Sequence, residues 1–434
     1  MPRIINILLI ILSVSGIGWC VYRDVRIEKQ YTGDLRNRIV GARLQKDGDL
    51  PYFYKWKHAD GLRYYDPQNF DTLKVSNITA TPFLHELFYP IAGLQQRNIS
   101  KTWFAIEYLL LLVMGLINFS FAKNIQQNLA VVLTTVFFLY TAAWTSLIAA
   151  GQIYLLIPFF ALLFYYCINR KNEISFAVFA GVNAAILLLI RPTAVFFLLP
   201  FLFIIRQYSW KYILALFVSA IFIFIVAFGS RQNRLYWMNY GAALKEQLKS
   251  HQMQGATTQQ NEPDPGYQNW EGWDMKEVAK EYAAFPYDYN QEHGNVFVII
   301  NHALHTKIPA WLLITSMAVL ILVLTFLFYK QNTRVVSFSA YQVCIFAFCL
   351  YMLTDFFSPV HRFLYNGVQW LFPLLLLASG YNKKYLWIYA GIIAGLILNS
   401  ASLSFMPMEN TLGEYLIFLF LLIFVFKYKP GPAV

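Results

Sequence analysis

The stretch that decides the fold is Tyr212–Phe228, which reads YILALFVSAIFIFIVAF and contains no charged residue. A helix needs about 20 predominantly apolar residues to cross the hydrocarbon core of a bilayer, and about 17 suffice at the short end. Comparable runs recur along the chain at Ile4–Val21, Ile308–Tyr329 and Val335–Leu353. The sequence therefore predicts an integral membrane protein that crosses the bilayer many times.

The composition also favours a membrane location. Of the 434 residues, 58% are hydrophobic and 13% are charged, whereas a soluble domain carries about 25% charged residues. The first apolar run is followed by Tyr22, Arg23 and Asp24 rather than by a small-residue cleavage site, so it is predicted to be a retained span. We expect an all-α integral membrane protein in which residues 1–434 form one polytopic domain.

About twelve transmembrane helices are predicted. Their ranges are 4–22, 103–121, 129–147, 151–168, 174–190, 193–205, 211–228, 308–329, 335–354, 363–380, 384–398 and 412–427. With these boundaries, the short segments on one side hold 12 Lys and Arg residues, and those on the other side hold two. Because short cytoplasmic loops are enriched in positive charge, both termini are predicted to face the cytoplasm.

Two hydrophilic segments, residues 23–102 and 229–307, are predicted to be large external loops. Each carries nine acidic residues, which together are 18 of the 23 in the chain. The net charge of +11 comes from basic residues whose distribution matches the predicted membrane topology, so no nucleic-acid partner is expected. The compact external loops favour a bacterial inner (cytoplasmic) membrane. The four cysteines lie in apolar runs and lack metal-ligand spacing.

The first external loop begins with a candidate catalytic acid. Asp34 opens a segment in which Leu35, Ile39 and Ala42 would share one face of a helix. A short helix of this kind is suited to the membrane interface. Asp34 could act in chemistry, or it could only cap the helix, and the sequence leaves both readings open.

Basic residues lie where predicted spans meet the external side. Arg191 precedes Pro192 at the outer end of a span, and His361 and Arg362 lie in a short external connection. Charges at membrane depth are costly and usually functional, and Arg and His together can hold a phosphate group. The alternative is that these side chains only reach lipid headgroups.

Several short motifs follow one another along the chain. They are Asp34 shortly after the first span, Gly48-x-x-Pro51-Tyr52, the segment Pro82-Phe83-Leu84 to Leu87-Phe88-x-Pro90, Gly151-Gln152, Arg191-Pro192, and Ser358-Pro359. Their order and spacing over about residues 1–370 resemble the GT-C superfamily of multi-span glycosyltransferases, specifically glycosyltransferase family 87. The family commonly has Lys-Pro where this chain has Arg191-Pro192, which keeps the positive charge. The family commonly has Tyr-Pro-Pro where this chain has Thr79-Ala80-Thr81-Pro82. This departure bears on the identity of the acceptor.

The resemblance implies an inverting membrane glycosyltransferase. It would move a hexose, with mannose favoured, from a polyprenyl-phosphate sugar to a glycolipid or glycan acceptor at the outer face of the membrane. Asp34 would take the proton from the attacking hydroxyl. The donor phosphate would be bound by Arg191, His361 and Arg362. Other substrate contacts are assigned to Arg38, Tyr52, His85 and Gln152. No cofactor or metal is expected.

Three other classes of protein share parts of this pattern. A secondary transporter also has about twelve spans, but it usually shows internal repeats and ionisable residues at mid-membrane. A cell-surface polysaccharide polymerase or ligase also carries large external loops and arginines. A structural membrane protein would not need charged residues at the ends of its spans. The positions of the polar residues favour the glycosyltransferase.

Overall fold

The computed structural model describes residues 2–28, 33–66, 76, 78–170, 173–253, 295–304, 308–332, 338–360, 362–400 and 409–428. Within these ranges the regular structure is helical and contains no β-strand. The α-helices are α1 (Pro2–Glu28), α2 (Gly33–Asp47), α3 (Pro82–Phe88), α4 (Gln96–Phe121), α5 (Ile125–Leu139), α6 (Ala142–Ala150), α7 (Leu156–Ile168), α8 (Ile174–Ile190), α9 (Val195–Leu198), α10 (Trp210–Gly229), α11 (Arg231–Met253), α12 (Val296–Leu304), α13 (Ala310–Asn332), α14 (Ala340–Phe356), α15 (Leu371–Ser379), α16 (Leu386–Ser400) and α17 (Glu409–Lys427).

Four helices in the described part of the chain are long and apolar enough to cross a bilayer. They are α4, α10, α13 and α17. The number becomes five if α5 and α6, which meet at an angle of 60°, form one bent span. The membrane character and the all-α class are therefore supported, whereas the twelve-span arrangement stays a prediction.

Other apolar segments form helices that are shorter than the spans predicted for them. The predicted span 193–205 contains only the four-residue helix α9, flanked by 3-10 turns that begin near Pro192 and Pro200. Proline has no backbone N–H and clashes with the preceding turn, so it interrupts a helix. The predicted span 363–380 likewise begins as the 3-10 segment Leu364–Trp370 and continues as α15.

The first predicted external loop contains α2, which is enclosed by protein. Leu35, Ile39 and Ala42 are fully buried and share a hydrophobic cluster with Leu84 and Phe88 of α3 and its neighbours. The predicted apolar face is thus confirmed. However, 12 of the 15 residues of α2 are buried, so the helix does not lie exposed along the interface as the sequence suggested.

Two buried arginines explain why a polar helix can be enclosed. Arg36 donates to the backbone carbonyl groups of Leu62 and Tyr65 at 2.8 and 2.6 Å. Arg43 donates to the carbonyl groups of Ala92, Leu94 and Arg63 at 2.7 to 2.8 Å. Because buried polar groups need hydrogen-bond partners, each guanidinium fastens loop backbone to α2.

Helix α11, from the second predicted external loop, packs onto the first predicted loop. The Tyr236 hydroxyl donates to the carbonyl of Gln45 at 2.9 Å, and Gln247 donates to the carbonyl of Ser76 at 2.8 Å. Tyr236 and Gln247 are buried, as is Ala243 between them, and this spacing places all three on one helical face. The segments around α2 and α11 therefore pack against each other, and their external location stays a prediction.

Candidate active site

Asp34 lies in the first turn of α2 and is only partly buried. Its Oδ2 accepts a hydrogen bond from Nε2 of Gln152, a residue 118 positions further along the chain. Arg38, one turn later on the same face, donates from Nη1 to the backbone carbonyl of Asp34 at 2.6 Å. The Nε of Arg38 has no hydrogen-bond partner among the described residues. The sequence-predicted residues Asp34, Gln152 and Arg38 are therefore neighbours.

Asp34 differs from other acidic residues in this part of the molecule. Asp66 is fully buried and accepts a 2.8 Å bond from Asn37. Asp24 is fully buried and accepts from the Tyr108 hydroxyl and from Nε1 of Trp144. Both carboxylates hold elements together and are closed to solvent. Asp34 keeps part of its surface accessible, and its position at a helix N-terminus favours a negative charge.

Arg191 lies beside the segment that carries Gln152. This arginine follows α8, and its Nη1 donates to the Tyr154 hydroxyl at 3.3 Å, with the guanidinium 5.6 Å from the centre of the Tyr154 ring. Tyr154 is only two residues from Gln152. The segment between α6 and α7 thus contacts the candidate base Asp34 through Gln152 and the candidate phosphate ligand Arg191 through Tyr154.

Arg191 begins a chain of ion pairs that extends into the protein. Its Nη2 donates to Asp355 Oδ1 at 2.5 Å. The other oxygen of Asp355 accepts from Gln369 at 2.7 Å and lies 3.6 Å from Nε of Arg362. Arg362 Nη1 in turn donates to Glu414 on α17. We call Arg191, Asp355, Arg362 and Glu414 the arginine–acid chain.

The two arginines of this chain differ in access. The Arg191 side chain is 30% exposed, whereas the Arg362 side chain is 3% exposed and lies between two carboxylates. The carboxylates of Asp355 and Glu414 balance the positive charges of the two arginines. Removing either carboxylate would leave one buried charge in the chain without a partner. Arg191 is therefore the more accessible of the two arginines, and phosphate binding by Arg191 and by Arg362 stays a prediction. His361, the third predicted phosphate ligand, lies outside the described residues.

Tyr52 and His85, predicted to contact substrate, are both fully buried in packing contacts. The Tyr52 hydroxyl donates to the carbonyl of Ala80 at 3.0 Å, and its ring stacks on His85 at 5.8 Å. Gln45 donates its amide N–H to the Pro82 carbonyl, so its Oε1 faces Nδ1 of His85 at 3.1 Å. Nδ1 must then carry the proton, because an amide oxygen only accepts.

His85 also fixes how closely α3 approaches α2. A Cβ built on Gly41 would lie 2.4 Å from Nε2 of His85, so only glycine fits at this contact. Burial lowers the pKa of His85 to about 3, and the positive charge of Arg38 acts in the same direction. An unfolded histidine takes up its proton near pH 6.5. The unfolded state therefore binds more protons below that pH, and stability falls as the pH drops through this range.

Tyr240 of α11 completes the arrangement from the second external loop. Its ring centre lies 5.5 Å from that of Tyr52. Burial raises the pKa of Tyr240 to about 12, while the nearby Arg191 charge acts in the opposite direction and Tyr154 acts in the same direction. Tyr240 therefore packs against Tyr52 and lies near Arg191.

Sequence reasoning missed four residues of this site. Tyr154 and Tyr240 are two of 29 tyrosines and stand in no motif. Asp355 and Glu414 have no role assigned from the sequence. A buried acid in an apolar run is itself a signal, because it calls for a basic partner, and that rule would have directed attention to both carboxylates.

Two other features lie apart from these residues. A cavity lined by Leu327, Lys330, Gln331 and Phe426 is found at the C-terminal ends of α13 and α17 and contains no candidate site residue. Among the described residues, no group of three His, Cys, Asp or Glu side chains is arranged to hold a metal ion.

A family model matches the chain. The model of glycosyltransferase family 87 matches residues 79–354, which is more than half of the chain. The matched segment is narrower than the resemblance inferred from the motifs; it includes His85, Gln152 and Arg191 but neither Asp34 nor Arg362. No curated protein and no solved structure matches significantly. Because the family model covers more than half of the chain, the chain belongs to glycosyltransferase family 87 and is a membrane glycosyltransferase.

Proposed function

We propose that the protein transfers a hexose, with mannose favoured, from a polyprenyl-phosphate sugar to a glycolipid or glycan acceptor. The observation that carries the proposal is the segment between α6 and α7. Through Gln152 it contacts the carboxylate of Asp34, and through Tyr154 it contacts the guanidinium of Arg191. A base and a cation are the two groups that displacement of a phosphate by a hydroxyl requires.

Asp34 acts as the general base. An acceptor hydroxyl donates its proton to the carboxylate while its oxygen attacks the anomeric carbon of the donor sugar. The new glycosidic bond forms as the bond from the anomeric carbon to the phosphate oxygen breaks. A single displacement of this kind inverts the anomeric configuration, so a β-linked donor gives an α-linked product.

Arg191 stabilises the departing polyprenyl phosphate. Its guanidinium has five N–H donors. One donates to Asp355, another donates to Tyr154, and Nε has no partner among the described residues. A partly exposed guanidinium with unused donors suits a phosphate group that gains negative charge as the bond breaks. Asp355 holds the guanidinium in this orientation.

The reaction is assigned to the outer face of a bacterial inner membrane. The support is the asymmetry of 12 against two basic residues in the short predicted connections. The lipid tail of the donor would lie among the apolar helices, and its sugar would lie beneath the two predicted external loops. With this topology both chain termini face the cytoplasm.

The experiment that tests the proposal is transfer of labelled sugar by purified protein in nanodiscs. We expect label to move from polyprenyl-phosphate mannose to a cell-envelope glycolipid fraction, and not from a nucleotide-activated mannose. In sealed right-side-out vesicles, a membrane-impermeant glycan acceptor should be labelled without lysis. Transfer from the nucleotide sugar alone would contradict the donor class, and labelling only after lysis would contradict the outer location.

A further inference from the structure

Gln152 has an unusually fixed backbone. It follows Gly151, which ends α6 in the left-handed conformation with φ 63°. The Gln152 N–H donates to the carbonyl of Leu147 at 3.1 Å, and its own carbonyl accepts from Nε1 of Trp103 at 3.3 Å. The residue is 1% exposed. Its side chain therefore starts from a point that α4 and α6 both determine.

The side-chain amide of Gln152 has one satisfied end and one unsatisfied end. An ionised carboxylate only accepts hydrogen bonds, so the Nε2 that meets Asp34 cannot be exchanged for the amide oxygen. This fixes Oε1 on the other side of the amide, where it is buried and has no hydrogen-bond partner in the part of the chain that is described. Buried acceptors are nearly always paired in native proteins, which indicates that a donor group from a ligand belongs here.

The position of Gln152 suggests which ligand supplies that group. Gln152 contacts Asp34, and Tyr154, two residues further along the chain, contacts Arg191. If Asp34 faces the anomeric carbon and Arg191 faces the phosphate, the ring of the donor hexose lies along Gln152. The hexose ring carries several hydroxyl groups, and each can donate one hydrogen bond.

We propose that Gln152 is a positioning residue that orients the Asp34 carboxylate, and that its Oε1 accepts a hydrogen bond from a hydroxyl of the donor hexose. This rests on the proposed function, because it assumes that Asp34 is the base. In this proposal Oε1 of Gln152 recognises the sugar ring. Donors that lack the matching hydroxyl would therefore be used less well.

The test compares Gln152→Glu and Gln152→Leu with wild type in the transfer assay from about pH 5 to about pH 9. Gln152→Glu keeps the shape but sets a second carboxylate against Asp34, so the acidic limb of the pH–rate profile should move up by about one unit or more. Gln152→Leu should lower the rate about ten- to a hundredfold. A residue that is merely structural would not move the limb in a variant that stays folded.

The matched control is Gln126→Glu, at an exposed position in the first turn of α5, which should leave the profile unchanged. Donors that each lack one ring hydroxyl provide the second readout. For the donor that lacks the hydroxyl bound by Gln152, the transfer rate of Gln152→Leu should be little lower than that of wild type, because the hydrogen bond is already absent. An unmoved acidic limb, or a full rate in Gln152→Leu, would overturn the inference. If Asp34→Asn also kept its full rate, the assignment of the base would fail instead.

Discussion

Asp34→Asn is expected to lower the transfer rate by on the order of a hundredfold or more while leaving the protein folded, because this is the usual size of a general-base contribution. Asparagine has nearly the same shape as aspartate and favours helix starts about as well. Its amide oxygen can still accept the hydrogen bond from Gln152, so the local packing is retained. What is lost is the ability to take a proton from the acceptor hydroxyl.

The matched control is Asp49→Asn, which changes the same functional group at an exposed position in the same external loop. It should keep the wild-type rate. Asp66→Asn and Glu86→Gln test the other external carboxyl groups near the site. Asp66 is paired with Asn37, and burial raises the pKa of Glu86. A well-folded Asp34→Asn protein with full activity, together with an inactive Glu86→Gln, would transfer the role of base to Glu86.

Arg191→Ala is expected to lower kcat/KM for the lipid-linked donor about ten- to a hundredfold, as for the loss of one charge-assisted contact. The side chain is also the exposed partner of the buried Asp355, so the alanine variant should unfold at a lower temperature. Arg191→Lys separates the two effects. It keeps the charge beside Asp355 but cannot offer the planar guanidinium donors, so its stability should recover more than its activity.

Arg206→Ala serves as the control because Arg206 is exposed and lies among the 3-10 turns before α10. It should not change donor use. If Arg191→Ala used the donor as well as wild type, Arg191 would act only on lipid headgroups or on Asp355. Unchanged donor use in Arg191→Ala combined with a large loss in Arg362→Ala would place the phosphate deeper in the arginine–acid chain.

The sequence predicted the membrane class and the local helices better than the spans. Apolar spacing gave the buried face of α2, since Leu35, Ile39 and Ala42 follow the helical period. The spacing could not show that the polar face of α2 is buried as well. Arg36 and Arg43 make this possible by binding backbone carbonyls of residues distant in the sequence. Span counting was limited by proline-broken segments such as the one at Pro192, whose helices are short.

The contacts within the site were mostly beyond reach of the sequence. Asp34 and Gln152 are 118 residues apart, and Arg191 and Asp355 are 164 residues apart. The motifs marked single residues, whereas pairing depends on how the helices pack. That packing also changes the interpretation of Arg362, because Glu414 balances its charge. Glu414 lies on α17, outside the segment from 79 to 354 that matches the family.

The central claim is that an acceptor hydroxyl, deprotonated by Asp34, displaces polyprenyl phosphate in a single step. The most direct measurement is the anomeric configuration of the product made by purified protein from a donor of known configuration, read by the one-bond carbon–proton coupling at the new linkage. A β-linked mannosyl donor should give an α-linked product. A β-linked product from the same donor would require two displacements and a covalent sugar–enzyme intermediate, and it would contradict the role of Asp34 as a base.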